Sequence, residues 1–252
     1  MSELSNDAHL ELVNDVDIES PTLIEGLPGL GLVAAIAVDQ ISDQLGLEHY
    51  GSIHAAEFPP VVTFENGLIQ DLVRVYASES HGVMTLQSDL ALPQRAFEGL
   101  SRCVLSELAE TFERAIFLAG APAESEDQLG EVRGIATTPE LVEELEDVGV
   151  EIPDEHGVVG GITGAIVREC YRADVPATLL IVRAHPQLPD PGAARAVIET
   201  ALEPMVDFDI DTTPLEEQAE DIRRQMQQVA RQYQQVTEDE SPPEARTMSM
   251  YQ

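Results

Sequence analysis

The sequence predicts an α/β fold, a three-layer α/β/α sandwich with a mainly parallel sheet between two layers of helices. Short apolar runs alternate along the chain with longer amphipathic segments, the order of strands and helices in parallel sheets. Two of these runs, AIFLAGA at 115–121 and ATLLIVRA at 177–184, are apolar at nearly every position, as strands buried on both faces are. Glycine-bearing turns join the elements closely, as connections in such folds do.

The first third of the chain predicts two short strands, a helix and a hairpin. In TLIEGLPGLGLVAAIAVDQI (22–41), a strand leads through a glycine turn into a helix from about 30 to 45. A second strand lies within 50–60 and is closed by Pro59-Pro60. In VVTFENGLIQDLVRVYAS (61–78), Asn66-Gly67 supplies the positive φ angles of a tight turn between two strand-like runs, which predicts a hairpin.

The following elements continue the alternation to about residue 205. Apolar residues at helical spacing predict a helix between 94 and 112. In chain order the predictions are a strand at 82–88, that helix, strands at 115–121 and 132–138, a helix at 139–147, a glycine-rich turn and helix within 156–173, a strand at 177–184 and a helix at 191–205. We expect one domain over 16–210, preceded by a flexible segment at 1–15.

The segment 211–236 predicts an amphipathic or coiled-coil helix that extends the domain. Its apolar residues recur at alternating steps of four and three for three heptads, the spacing of a helix seam. The seam residues are Leu215, Ala219, Ile222, Met226, Val229, Tyr233 and Val236. Two interpretations remain open, self-association through this seam or packing of one helix on its own domain. Residues 237–252 contain Pro242-Pro243 and few apolar residues, which predicts a flexible tail.

The charge balance indicates adaptation of the whole surface to high salt. The chain has 47 acidic and 13 basic residues, a net charge of −34, and all of its basic residues are arginine. The acids occur in every segment rather than in one block, and salt screens the repulsion between them. We therefore predict a halophilic protein. Nucleic-acid binding requires a basic surface, so we expect no nucleic-acid partner.

The cysteines and the apolar segments predict a reduced, cytoplasmic protein. Cys103 and Cys170 are isolated, without metal-ligand spacing, and we expect two structural thiols. The N-terminal stretch is acidic and lacks the features of a signal peptide. The longest uncharged run, 26–38, is shorter than the roughly 18–20 apolar residues that span a bilayer, so we expect no membrane partner.

Two glycine-rich turns are candidates for ligand binding. Gly29 and Gly31 stand between strand and helix in a loose form of the dinucleotide fingerprint, where backbone amides could meet a phosphate. Tight packing of the helix on the sheet explains the same glycines without a ligand. The second turn, at 157–164, lacks a G-K-[ST] sequence, and a chain without lysine cannot form a Walker phosphate loop. We expect no cofactor and no metal site.

Polar residues near the predicted strand ends are candidates for a catalytic pocket. They are His54, Glu57, Asp89, Arg183 and His185. The sequence contains no G-x-S-x-G or H-E-x-x-H motif, and chance alone places a few polar residues near strand ends. We therefore expect no enzyme, and we assign no catalytic residue.

The last three residues form a candidate docking motif. Met250-Tyr251-Gln252 end a tail that is otherwise poor in aromatic residues. A hydrophobic residue, a tyrosine and a final residue with a free carboxylate are similar to the motif of proteins that dock between α-subunits of the 20S proteasome. Such a carboxylate can pair with a lysine of the pocket, while the tyrosine ring buries apolar area.

Four segments together resemble the PAC2 family, the proteasome assembly chaperones and their archaeal homologues. In order over about 18–205, they are TLIEGLPGLGLVAAIAVDQI (22–41), IHAAEFPPVVTFENGLIQDLVRVY (53–76), HGVVGGITGAIVREC (156–170) and VRAHPQLPDPGAARAVIETAL (182–202). The charge balance points to a haloarchaeal-type homologue.

The resemblance implies a fold similar to that of purine nucleoside phosphorylases, without their activity. It also implies a homo-oligomer that presents several tails to 20S proteasome α-subunits, with Met250, Tyr251 and Gln252 matching the terminal motif residue by residue. The protein would then be an assembly chaperone or an adaptor. The alternative is a small-molecule or nucleotide-binding enzyme of phosphorylase-like or ATP-grasp type, the latter in conflict with the lack of lysine.

Overall fold

The computed structural model of the protein describes residues 8–14, 16 and 18–225. Among these residues, eight strands form one sheet in the order β1-β3-β6-β7-β2-β8-β10-β9, and β4 and β5 form a separate hairpin. The strands are β1 His9–Leu12, β2 Thr22–Gly26, β3 Glu48–His54, β4 Thr63–Glu65, β5 Leu68–Gln70, β6 Val73–Ser78, β7 Val83–Ser88, β8 Arg114–Pro122, β9 Val132–Ala136 and β10 Ala177–Ala184.

The sheet is parallel at its centre and antiparallel at its flanks. The pairs β7–β2, β2–β8 and β8–β10 are parallel, with Ile24 opposite Thr85 and Ile116. The pairs β1–β3, β3–β6, β6–β7 and β10–β9 are antiparallel. The prediction of a mainly parallel sheet therefore describes the central four strands, and the sheet as a whole is mixed.

Helices cover both faces of the sheet, as the sandwich prediction requires. The helices are α1 Val33–Leu45, α2 Phe97–Cys103, α3 Pro139–Asp147, α4 Gly161–Arg172, α5 Pro191–Val197, α6 Glu203–Val206 and α7, which begins at 213 and continues to 225, the last described residue. Single π-helical turns, Val104–Leu108 and Ile198–Leu202, extend α2 and α5.

Alternation along the central strands builds two cores, one on each face. On β8, Phe117 packs into the core under α2 and α4, whereas its neighbours Ile116 and Leu118 pack into the core under α1 and α5. On β2, Leu23 and Ile24 divide between the two cores in the same way. Successive side chains of a strand point to opposite faces, so a strand that is apolar at every position supplies both cores.

Two segments differ from the sequence predictions. The stretch 1–15, predicted to be flexible, contains β1, which pairs antiparallel with β3 and places His9 opposite His54. The signal was weak because the strand has only four residues and includes an acid. In the segment 61–78, the turn at Asn66-Gly67 has the predicted positive φ angles, 50° and 82°. The hairpin itself ends at Gln70, and β6 leaves it to join the main sheet.

Helix α7 packs on its own domain over its first turns. Leu215 is buried in the core under α1 and α5, and Ala219 is buried as well. Gly192 lies beneath Ala219, because a Cβ at that glycine would stand 3.7 Å from the Ala219 Cβ. In the described part of the predicted seam, intramolecular packing thus occupies the first two positions.

Gly120 on β8 is a position where the fold requires glycine. The turn after β2 crosses β8 there so closely that a Cβ at Gly120 would overlap the backbone carbonyl of Leu30. A backbone atom inside a tight turn cannot give way as the end of a flexible side chain can.

We expect Gly120→Ala to lower the free energy of unfolding by about 1–3 kcal/mol, the usual cost of overpacking. Gly157→Ala is the matched control, since a Cβ at Gly157 meets nothing within 4 Å. Chemical denaturation of the two variants and the parent protein measures the difference. Equal losses for both variants would contradict the close approach of the turn to β8.

Candidate functional site

A cleft of about 1050 Å³ lies on the face of the sheet that carries α4. Its floor consists of the carboxyl half of β8 and the alternate residues of β10 from Ala177 to Arg183. One wall is the turn after β2, at 28–30, and the other is the segment 153–160 with the first turns of α4. Pockets in α/β proteins are commonly found near the carboxyl ends of parallel strands, so we consider this cleft the candidate ligand site.

The two glycines of the predicted ligand turn have different roles: Gly31 is required for packing, and Gly29 lines the cleft. Gly31 has a φ of 67°, and a Cβ there would stand 2.8 Å from the Cβ of Ala184, so backbone conformation and packing both require glycine. Gly29 has extended backbone, φ −135°, and a Cβ there would meet nothing within 4 Å. Gly29 lines the cleft, and Gly31 anchors the turn on the end of β10.

The second glycine-rich turn forms the opposite wall and begins α4. Gly160 is the N-cap residue, and no side chain caps this helix end. Gly164 packs against the backbone of Val159, which brings the segment 157–160 close to the helix. Gly157 and Gly160, by contrast, have open space where a Cβ would be. The two glycine-rich turns are far apart in the sequence, but both line this one cavity.

Glu25, at the end of β2, is a fully buried carboxyl group behind this cleft. It accepts hydrogen bonds from the backbone N–H of Leu27 at 3.2 Å and of Leu118 at 3.4 Å. The hydroxyl of Thr163, in the first turn of α4, donates to both carboxyl oxygens at 3.3 and 3.4 Å. Glu25 thus joins the turn after β2, strand β8 and helix α4, three of the parts that form the cleft.

Burial raises the pKa of Glu25 to about 8, and the hydrogen bonds from Leu118, Thr163 and Leu27 only partly oppose this effect. No cation pairs with the group among the contacts of the described residues. At neutral pH the carboxyl group is therefore mainly protonated, because a buried charge without a partner is costly. The sequence signal for this buried group is a single acid inside the apolar run TLIEGL.

The charged lining of the cleft is basic, in contrast to the chain as a whole. Arg133, Arg168 and Arg183 line it together with one carboxylate, Glu155. Arg133 pairs with Glu155 at 2.8 Å and with Glu151 at 3.2 Å. These arginines are distant in sequence, so only the fold shows that they share a cavity.

The polar residues near the strand ends do not assemble into one catalytic group. His54 lies 3.3 Å from Glu11 at the edge strands, and Asp89 forms a bidentate ion pair with Arg74, at 2.6 and 3.1 Å. His185 accepts the backbone N–H groups of Gln187 and Leu188, while Arg183 alone of the set lines the cleft. Glu57 accepts, through its backbone carbonyl, a hydrogen bond from Arg95.

The described residues also bear on the cysteines, on metal binding and on membrane-spanning helices. Burial raises the pKa of each thiol, Cys103 and Cys170, to about 12, as expected for unreactive structural cysteines. No group of three His, Cys, Asp or Glu residues in the described ranges could hold a metal ion. Over the same ranges, no helix has the length and apolar character that crossing a bilayer requires.

Two predicted binding segments lie largely beyond the described residues. Ile222 is half-buried on α7, while the seam positions Met226, Val229, Tyr233 and Val236 lie outside the described ranges. The docking motif Met250-Tyr251-Gln252 lies outside them as well.

An apolar surface on the β4–β5 hairpin was not predicted. Phe64, Leu68 and Ile69 are 77%, 72% and 75% exposed, and Val61 and Val62 beside them are exposed as well. Large exposed apolar side chains that cluster in this way are typical of protein–protein contacts. The sequence signal is the run of adjacent apolar residues on each side of Asn66-Gly67, where a half-buried hairpin would alternate.

The fold and the cleft define an α/β/α protein with a basic cleft and no assembled catalytic group in its described part. The profile of the PAC2 family matches residues 23–230. The chain belongs to the PAC2 family.

Curated relatives and solved structures support this assignment. An uncharacterized protein of Methanocaldococcus jannaschii is 29% identical over 214 residues, covering 84% of this chain and 87% of the relative. The crystal structure of Pyrococcus furiosus PbaA, an archaeal homolog of proteasome-assembly chaperone, has 26% identity and a TM-score of 0.79, covering 92% of this chain and 95% of that one. The structure of Pyrococcus furiosus PbaB, an archaeal proteasome activator, has 20% identity and a TM-score of 0.80, covering 89% and 99%, and shows the same fold.

Titration of Glu25 makes the stability of the protein depend on pH. Its pKa is raised from 4.5 to about 8 on folding, so its contribution to stability is complete below pH 4.5 and is lost as the pH rises through about 8. Each pKa unit corresponds to about 1.4 kcal/mol, which sets an upper limit of roughly 5 kcal/mol for the change.

We expect Glu25→Gln to flatten this dependence, because the amide does not titrate. The free energy of unfolding of the parent minus that of the variant should fall between pH 4.5 and 9. Chemical denaturation across this range measures the difference, and the other titrating groups cancel between the two proteins. A difference that stays constant with pH would show that Glu25 is ionised in the fold.

Proposed function

We propose that this protein is a proteasome-assembly-chaperone-like protein, not an enzyme, that acts as a chaperone or adaptor of the 20S proteasome. The observation that carries the proposal is the match to the PAC2 family over residues 23–230, together with the fold shared with PbaA. The separate placement of the polar strand-end residues supports a binding function over a catalytic one.

The C-terminal tail supplies the docking chemistry in this proposal. The ring of Tyr251 and the side chain of Met250 would enter an apolar pocket between two α-subunits, and the carboxylate of Gln252 would pair with a basic group there. Residues 237–249 contain two prolines and mostly polar side chains, which suits a tether. At full extension, a tether of a dozen residues reaches roughly 40 Å.

Several tails on one homo-oligomer would strengthen docking. A single tripeptide buries little area and binds weakly, but tails that are held together raise one another's effective concentration. We therefore propose that the chain acts as a homo-oligomer.

We expect Tyr251→Ala to abolish capture of the 20S particle or of its free α-subunits. A residue appended after Gln252 should do the same, because it moves the carboxylate away from the tyrosine. Met248→Ala is the matched control, an apolar substitution in the same tail outside the motif. The measurement is a pull-down with N-terminally tagged protein in molar potassium chloride, the solvent that the charge of −34 favours.

Capture by the parent and by Met248→Ala, with none by the other two variants, would support docking through the tail. Equal capture by all four proteins would place the contact elsewhere on the chain. The assembly state of the captured α-subunits then separates a chaperone, which holds intermediates, from an adaptor, which binds the finished particle.

The β4–β5 hairpin is the surface on which we propose that copies of this chain meet. Two chains of net charge −34 repel each other least where their surfaces carry the fewest charges. The ten residues of 61–70 include five exposed apolar side chains and one charge, Glu65. Burial of Phe64, Leu68 and Ile69 would also supply the apolar area that association requires.

The double variant Phe64→Ser/Ile69→Ser should lower the mass that light scattering measures in solution. Both side chains are exposed, so the free energy of unfolding of the isolated subunit should change by less than about 0.5 kcal/mol each. Leu90→Ser is the control, since Leu90 is an exposed leucine outside the hairpin. An unchanged mass for the double variant would exclude the hairpin as the contact between copies.

A further inference from the structure

We propose that the cleft beside α4 binds a small molecule that carries a phosphate group on an apolar body. The proposal does not depend on docking at the proteasome. It rests on the glycines around the cleft, the charges that line it, the start of α4 and the apolar floor.

At three glycines of the cleft wall, neither close packing nor a positive φ requires glycine. A Cβ at Gly29, Gly157 or Gly160 would meet nothing within 4 Å, and none of the three has a positive φ. Glycine without such a role destabilises the fold, because it increases the freedom of the unfolded chain. All three line the same cavity, where a side chain would fill space or prevent close approach of a ligand to the backbone.

The charges of the lining point to an anion. Three arginines and one carboxylate line the cleft, whereas the whole chain has 13 arginines and 47 acids. Arg183 donates through Nη1 to the carbonyl of Pro122 at 3.0 Å and has no carboxylate partner in the described part of the chain. Its guanidinium retains donors that suit two oxygens of one phosphate.

The other two arginines have acid partners but keep donors for a ligand. Arg168 is 57% exposed, and it shares its half-buried partner Glu169, at 2.8 Å, with Arg172. Arg133 pairs through Nη1 and Nη2, while its buried Nε has no acceptor within the described ranges. Exposed pairs contribute little to stability, so an incoming phosphate can compete for Arg168.

The start of α4 adds backbone donors at the same place. The helix has 12 residues, no side chain caps its N-terminus, and Gly160, Gly161 and Thr163 all line the cleft. The first N–H groups of a helix have no partner within the helix and are a common phosphate site. Together with the arginines, they favour phosphate over a carboxylate ligand because a phosphate accepts from more directions.

The rest of the lining is suited to an apolar body next to the phosphate. Ile135, Leu179 and Ile181 on the floor and Ile162 on α4 are apolar. At the mouth, Val158 is 97% exposed and Tyr171 is exposed as well, an arrangement that leaves apolar surface open to a ligand. Glu25 lies behind Thr163 without access to the cleft, and in its protonated form it adds no negative charge behind the anion.

Isothermal titration with phenyl phosphate and with inorganic phosphate, in molar potassium chloride, tests the proposal. We expect the intact protein to bind phenyl phosphate saturably and at least tenfold more tightly than inorganic phosphate. Phenol at the same concentrations should not bind, since it lacks the anion. Absence of saturable binding for both phosphates would overturn the proposal.

Three variants locate the binding. Arg183→Gln and Gly157→Val should each weaken phenyl phosphate binding at least tenfold, with melting temperatures close to that of the parent. Arg95→Gln is the matched control, because Arg95 also donates to a backbone carbonyl, that of Glu57, but lies outside the cleft. Equal affinity in all three variants would show that phosphate binds elsewhere on the surface and would overturn the assignment to this cleft.

Discussion

The buried carboxyl group of Glu25 is the constraint on which the arrangement around the cleft depends. Strand β2 pairs parallel with β7 and β8, and the turn that follows it crosses β8 before α1 begins. Glu25 holds that turn through the N–H of Leu27, holds β8 through the N–H of Leu118, and holds the start of α4 through Thr163. A protonated carboxyl group at this position needs no counter-ion, whereas a buried carboxylate would.

The turn after β2 accounts for the close approach at Gly120 and places Gly29 at the cleft. Because the turn after β2 lies directly on β8, its neighbour Gly120 has no room for a side chain. The chain then passes through Gly31 in a left-handed conformation against Ala184 and enters α1, which packs on the core that Ile116 and Leu118 of β8 supply. On the face that carries α4, Gly29, Gly157 and Gly160 line the cleft over β10.

Local patterns were sufficient to predict most elements but not which distant residues meet. The apolar runs at 115–121 and 177–184 predicted β8 and β10, because a strand buried on both faces is apolar at nearly every position. Asn66-Gly67 predicted the hairpin turn, because these residue types favour positive φ angles. Strand β1 has four residues and an alternation too short to recognise. Arg133, Arg168 and Arg183 lie on three elements, and their common cavity depends on the strand order, which no local pattern encodes.

The placement of arginine would allow an anion site on an otherwise acidic surface. With 47 acids and 13 arginines, a random surface region of this chain repels a phosphate, and high salt weakens the attraction of any isolated arginine. The cleft leaves the Arg133 side chain only 25% exposed and adds fixed backbone donors at the start of α4. In the proposed homo-oligomer, the same charge balance would favour contact between copies at uncharged surface such as the hairpin. A surplus of carboxylates would therefore favour separate regions for the proposed ligand binding, association between copies and docking through the tail.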